Sequence, residues 1–91
     1  MISETVTIQN SKGLHLRPVT VLSEAACRYR SHSFIRFNGR EADLKSVLSL
    51  LAAGLRCGDI AEVVCEGEDE REAMEGILDV FRNGFGAQNP A

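Results

Sequence analysis

Residues 5–8 (Thr5, Val6, Thr7, Ile8) alternate polar and apolar side chains and are all β-branched, which predicts a half-buried strand. A polar turn follows over residues 10–13. From Pro18 onward Leu22, Ala25, Ala26 and Tyr29 fall on one helical face, predicting a helix over residues 16–28. Residues 33–37 and 40–44 flank Asn38-Gly39, a pair suited to the positive φ angles of a tight hairpin. Val47, Leu48, Leu50 and Leu51 fill a short helix over residues 46–53, with Gly54 as its left-handed terminator. Residues 60–66 read as a strand with Ala61, Val63 and Cys65 on one face and Glu62 and Glu66 on the other. Met74, Ile77, Leu78 and Phe81 form the i, i+3, i+4, i+7 stripe of a last helix that begins near Asp69. Residues 83–91, with two glycines and Pro90, are expected to fray.

The predicted order is strand, helix, strand, strand, short helix, strand, helix. Strands with one polar face suit an antiparallel sheet covered by helices on the other, an open-faced α/β sandwich of the α+β class. Pattern alone leaves the strand order open. Ninety-one residues suffice for one domain with one modest core, assigned to residues 1–85, with residues 86–91 as a flexible C-terminal tail.

A net charge of −3, one tyrosine, no tryptophan and no Lys/Arg run argue against nucleic acid as a partner. No apolar stretch approaches the roughly 20 residues that span a bilayer, so no membrane insertion is expected. The acidic, alternating N-terminus does not resemble a signal peptide, so a cytoplasmic location is the expectation. Cys27, Cys57 and Cys65 contain no Cys-x-x-Cys pair and read as buried, reduced thiols acting as small apolar residues. No Walker or Rossmann glycine pattern and no ligand cluster is present, so neither metal nor cofactor is expected. The acidic run from Glu66 to Glu70 precedes a helix, where carboxylates complement the dipole.

The chemistry concentrates in Gly13-Leu14-His15-Leu16-Arg17-Pro18. Proline is comfortable in the first turn of a helix, where its missing N–H would lack an intrahelical partner anyway. His15 is therefore assigned to a helix N-terminus, where free N–H groups and the dipole attract an anion. The dipole's positive end disfavours imidazolium there, favouring the neutral, nucleophilic ring. Arg17 presents a permanently charged fork that matches phosphate oxygens. A nucleophilic nitrogen held against an anion site, with a cation beside it, suits the carrying of a phosphoryl group. Dipole stabilisation of about 0.3–1 kcal/mol, up to about 2 when partly buried, can hold such a group without making its bond inert.

At Gly13-Leu14-His15-x-Arg17-Pro18, at Lys45-Ser46 before a short apolar helix, and at Glu66 to Glu70 before the last helix, the chain resembles the histidine-containing phosphocarrier (HPr) family of the bacterial sugar phosphotransferase system. The likeness covers nearly the whole chain. It implies a four-stranded antiparallel sheet with three helices on one face. It also implies a non-enzymatic carrier whose His15 takes phosphate on Nδ1 from phosphorylated enzyme I and passes it to a sugar-specific enzyme IIA, with Arg17 and Pro18 completing the site. In part of the family the serine matching Ser46 is phosphorylated by a dedicated kinase, HPr kinase/phosphorylase, which lowers transfer at the histidine. Independently of that, Ser46 is the preferred residue type for a helix N-cap. Docking is assigned to an apolar patch of Leu16, Thr20, Val47, Leu48 and Leu51, with Leu50 pointing inward and Leu48 outward. The carrier is expected to act as a monomer.

Two departures bear on partner choice. The family usually has alanine at Leu16, and basic residues common on the partner-facing side of the first helix give way to Glu24 and Cys27. They motivate an alternative reading, a regulatory binding module controlled through His15 or Ser46 that does not relay phosphate in sugar uptake. His32 has no assigned role.

Overall fold

Every predicted segment finds its partner in a computed structural model, which describes residues 1–86. The elements are β1 (Ile2–Thr7), α1 (Leu16–Cys27), β2 (His32–Phe37), β3 (Arg40–Asp43), α2 (Val47–Ala53), β4 (Ile60–Glu66), α3 (Glu70–Arg82) and a 3-10 turn at Gly84–Gly86. The strands form one sheet in the order β1-β4-β2-β3, antiparallel at each junction. The first strand is longer than its alternating segment because Ile2, Ser3 and Glu4 pair with Cys65, Val64 and Val63. Ile8 lies past the ladder, yet its N–H still donates to the Asp59 carbonyl at 2.8 Å.

Side-chain alternation sets the layers. Val6, Ile35, Ala42, Ala61, Val63 and Cys65 point to one face, where Val19, Leu22, Ala26, Leu50, Met74 and Ile77 of the three helices meet them. Leu22, Leu50 and Ile77 are wholly buried, each contributing about 1.5–3 kcal/mol. Asn38 (φ 52°) and Gly39 (φ 76°) make the tight hairpin turn, and Gly54 (φ 64°, ψ 35°) ends α2 in the left-handed conformation. The opposite face is polar except for the exposed Ile60 at the start of β4 and for Phe34 and Val64, cross-strand partners that are both buried. Arg36 covers the Phe34 ring at 5.4 Å and His32 packs on it at 5.2 Å. Arg36 is held across that face by Glu41 and Glu62, each at 3.1 Å.

Three expectations need correction or delimiting. Asn83 caps α3 and residues 84–86 do not fray: Phe85 is buried and packs edge-on against Phe81 at 4.9 Å. Burial of that ring offsets its left-handed backbone (φ 62°), a strain on the order of 1–3 kcal/mol. Of the tail expected at 86–91, residues 87–91 lie outside the described residues. Among the cysteines only Cys65 is buried, and desolvation, helped by Glu70 and Asp69, pushes its thiol up to about 11. Cys27 ends α1 on its solvent side and Cys57 lies in the turn before β4, so both are exposed. All three thiols are free.

Candidate functional site

The site begins where α1 begins. Residues 10–13 close a turn in which the Gly13 N–H donates to the Asn10 carbonyl at 2.8 Å. Gly13 has a φ of +70°, and a β-carbon there would lie 2.5 Å from the Leu55 carbonyl oxygen and 2.9 Å from the Arg56 Cα. Only glycine lets this loop press so closely on the turn that follows α2. The contact is locked by the Leu14 N–H, which donates to the Leu55 carbonyl at 3.0 Å. Leu14 is buried, which anchors the loop and fixes the take-off of the next residue.

His15 is the N-cap of α1, with extended backbone (φ −93°, ψ −169°), and its carbonyl accepts the Val19 N–H at 3.1 Å. The imidazole makes no capping hydrogen bond and is half-buried. Its Nε2 is buried with no hydrogen-bond partner among the described residues. An unsatisfied buried polar atom costs on the order of 1–3 kcal/mol, and such atoms call for a functional or structural reason.

Behind the ring, the Leu16 and Arg17 N–H groups have no backbone or side-chain acceptor among the described residues, as the first turn of a helix dictates. Pro18, in the same turn, has no N–H to satisfy and is buried. No acidic residue stands in this first turn to occupy the dipole's positive end. Arg17 is exposed and forms no ion pair among the described residues, so its guanidinium is available to an incoming anion. His15, Arg17 and the open amides thus share the N-terminal turn of α1.

Ser46 is the N-cap of α2, its hydroxyl accepting the Ser49 N–H at 3.2 Å. Two bonds fasten α1 to the residue before it: the Ser23 hydroxyl donates to the Lys45 carbonyl at 3.0 Å, and the Cys27 thiol lies 4.0 Å from the same oxygen. Lys45 itself reaches away, its Nζ donating to the Tyr29 carbonyl at 2.8 Å.

The apolar patch divides in two. Leu16, Leu48 and Leu51 are 61%, 79% and 36% exposed, whereas Val47 is half-buried against the core and the Thr20 hydroxyl donates to the Leu16 carbonyl at 2.8 Å. Leu50 points inward and Leu48 outward, as helical spacing requires. Glu24 is exposed and unpaired among the described residues, two helical turns beyond Leu16. His32 lies on the opposite sheet face and takes no part in the site. The Leu55-Arg56 segment escaped prediction. It is 40 residues away along the chain, and its one signal is the glycine at position 13.

Among the described residues no group of three His, Cys, Asp or Glu side chains is arranged to hold a metal ion. No helix among them is long and apolar enough to cross a membrane.

Comparison with known proteins agrees with this geometry. Residues 2–83 match the family model described as the PTS HPr component phosphorylation site. The chain is 33% identical to the phosphocarrier protein HPr of Treponema pallidum, covering 93% of this chain and 97% of that one. It is 31% identical to an HPr-like protein Crh of Halalkalibacterium halodurans, over 86% of this chain and 93% of the relative. A crystal structure of HPr from Thermoanaerobacter tengcongensis superposes with a TM-score of 0.91 at 27% identity, covering 98% of this chain and all of the other. A family match over nearly the whole chain, on the fold and around the histidine just described, means that this protein belongs to the HPr phosphocarrier family, whose members carry phosphoryl groups in the phosphotransferase system rather than act as catalysts.

Proposed function

We propose that His15 receives a phosphoryl group on Nδ1 from phosphorylated enzyme I and hands it to enzyme IIA components. The observation that carries this reading is the pairing of a half-buried imidazole that makes no capping bond with the unpartnered Leu16 and Arg17 amides at the start of α1. The Nδ1 lone pair forms the new N–P bond as the bond from phosphorus to the donor breaks. The phosphoryl oxygens then meet backbone N–H donors fixed by the helix start, and the exposed Arg17 guanidinium can close on them. Leu16, Leu48 and Leu51 offer the apolar centre of a docking surface, where truncating one central side chain costs about 2 kcal/mol of binding.

A second reading follows from the Crh relative and from Ser46. The protein would then be a regulatory module switched by phosphorylation at His15 or Ser46, the latter by an HPr kinase/phosphorylase. Phosphate on Ser46 would sit at a helix start that tolerates it, so its effect would come from charge placed in the docking face. Binding of a target that ignores His15→Ala but responds to Ser46→Asp favours this reading.

The deciding experiment incubates the protein with enzyme I, magnesium and phosphoenolpyruvate. The carrier reading predicts one acid-labile, alkali-stable phosphoryl group that is absent in His15→Ala. A wild-type chain that stays unmodified contradicts it.

A further inference from the structure

The loop that delivers His15 is held at both ends by one turn. At its entry the Ile8 N–H donates to the Asp59 carbonyl at 2.8 Å, and the Ile8 carbonyl accepts the Gly58 N–H at 2.7 Å. At its exit the Leu14 N–H donates to the Leu55 carbonyl at 3.0 Å. Residues 55–59 thus grip the chain on either side of residues 9–13. The turn closes on itself through the Asp59 N–H, which donates to the Arg56 carbonyl at 3.0 Å, and through the Asp59 carboxylate, which accepts the Arg56 N–H at 2.8 Å.

That Arg56 N–H and the Leu55 carbonyl belong to a single peptide unit. The unit is trans and planar, so its two polar groups point in opposite directions and cannot turn independently. A carboxylate gripping the nitrogen end therefore sets the direction in which the oxygen end meets Leu14. It also polarises the unit, which makes that oxygen a stronger acceptor. Gly13 lets the loop approach, and Asp59 aims the peptide that holds it. Asp59 is half-buried and forms no ion pair among the described residues.

We infer that Asp59 is a positioning residue for phosphoryl transfer at His15. It acts through two hydrogen bonds in series, from its carboxylate to the Arg56 N–H and from the Leu55 carbonyl to the Leu14 N–H, the residue before the histidine. Loosening that series lets the start of α1 shift against the incoming phosphorus, and a misplacement of about 1 Å at reacting atoms can cost about 100-fold in rate. This inference rests on the carrier reading above and adds the residue that holds its geometry.

Three variants separate position from charge. Asp59→Asn keeps an acceptor oxygen in place without the charge, Asp59→Glu keeps the charge one methylene further out, and Asp59→Ala keeps neither. Transfer from phosphorylated enzyme I is measured at increasing carrier concentration, and hydrogen exchange of the Leu14 amide is followed by NMR in the same proteins. Asp59→Ala and Asp59→Glu are expected to lower the saturated rate about 10-fold at unchanged half-saturation, and Asp59→Asn less than about 3-fold. Leu14 exchange should quicken about 10-fold in the Ala and Glu variants relative to amides of α3, which report opening of the whole domain. Asp69→Asn, altered at the far joint between α1 and α3, should lose stability yet transfer like wild type, so destabilisation does not imitate the effect. Should Asp59→Ala fail to fold, the contrast between Asn and Glu decides alone. A Glu variant at the wild-type rate beside a slow Asn variant overturns the inference, because charge would then matter and position would not. A loss confined to half-saturation also overturns it, since Asp59 would then meet the partner. Leu14 exchange unaltered in the Ala and Glu variants refutes the inference and leaves the carrier reading standing. A wild type that accepts no phosphoryl group from enzyme I refutes the carrier reading and this inference with it.

Discussion

The starts of α1 and α3 face the same electrostatic problem and solve it in opposite ways. At α3 the protein supplies its own anions. Asp69 accepts the Arg30 and Ser31 N–H groups at 2.9 and 2.8 Å and the Ser31 hydroxyl as well, and Glu70 accepts the Gly67 N–H at 3.1 Å. The Ser31 hydroxyl and then the Arg30 amide hold the Asp69 carboxyl below its usual range, and the Gly67 amide does the same for Glu70. At α1 the cap is a histidine whose ring makes no capping bond, and no acidic residue stands in the first turn. A helix start filled by the chain's own carboxylates is a joint, here between the end of α1 and the beginning of α3. A start left empty beside a nucleophile and a cation is a place for somebody else's anion. Ser46 at α2 lies between the two: it is capped by its own hydroxyl, yet a modification of that hydroxyl would add charge beside the exposed Leu48.

Filling the empty start should abolish the difference. Arg17→Glu places a carboxylate in the first turn of α1 and removes the guanidinium. It should slow phosphoryl transfer to His15 about 100-fold or more, the equivalent of about 3 kcal/mol for a lost charge-assisted bond. Melting temperature should hardly move, because Arg17 is exposed and unpaired. Rapid-quench transfer assays and thermal melts measured side by side check this.

The reverse change belongs at α3. Asp69→Asn should lower the melting temperature at neutral pH while leaving His15 phosphorylation unchanged. Asp69 has a depressed value in the folded state, so its contribution is complete above the unfolded value of about 3.9 and is lost as pH falls through the lower, folded value. The gap between wild type and Asp69→Asn should therefore close in acid, which melts recorded by circular dichroism from neutral pH to about pH 2 would show. Smallest of the three, Ser46→Ala removes one cap and should cost about 1 kcal/mol of stability in chemical denaturation, with transfer to His15 unaltered.

Much of this was written in local chemistry. The Asn38-Gly39 turn, the Gly54 cap, the inward face of β4 and the helix start at His15 all follow from residue type and spacing within a few positions. What escaped depends on partners distant in sequence. Phe85 lies in a glycine-rich stretch that reads as frayed, and only the Phe81 ring and the core it enters give it a place. Val64 sits between two glutamates on the polar face and is buried by Phe34, which the Arg36 and His32 side chains cover. Residue type alone makes Cys27 and Cys57 core candidates, but their positions on a helix end and in a turn expose them. The Leu55-Arg56 backbone presses on the His15 loop only because Gly13 lacks a side chain, a contact that spans 43 residues.

Phosphoryl carriage comes down to one nitrogen. Phosphorylation by enzyme I of protein labelled with 15N in histidine, followed by phosphorus–nitrogen NMR under alkaline conditions, identifies the ring atom that carries the group. A single bond from phosphorus to Nδ1 of His15 and an unmodified His32 are expected. A phosphoryl group on Nε2, or on any residue other than His15, would contradict it.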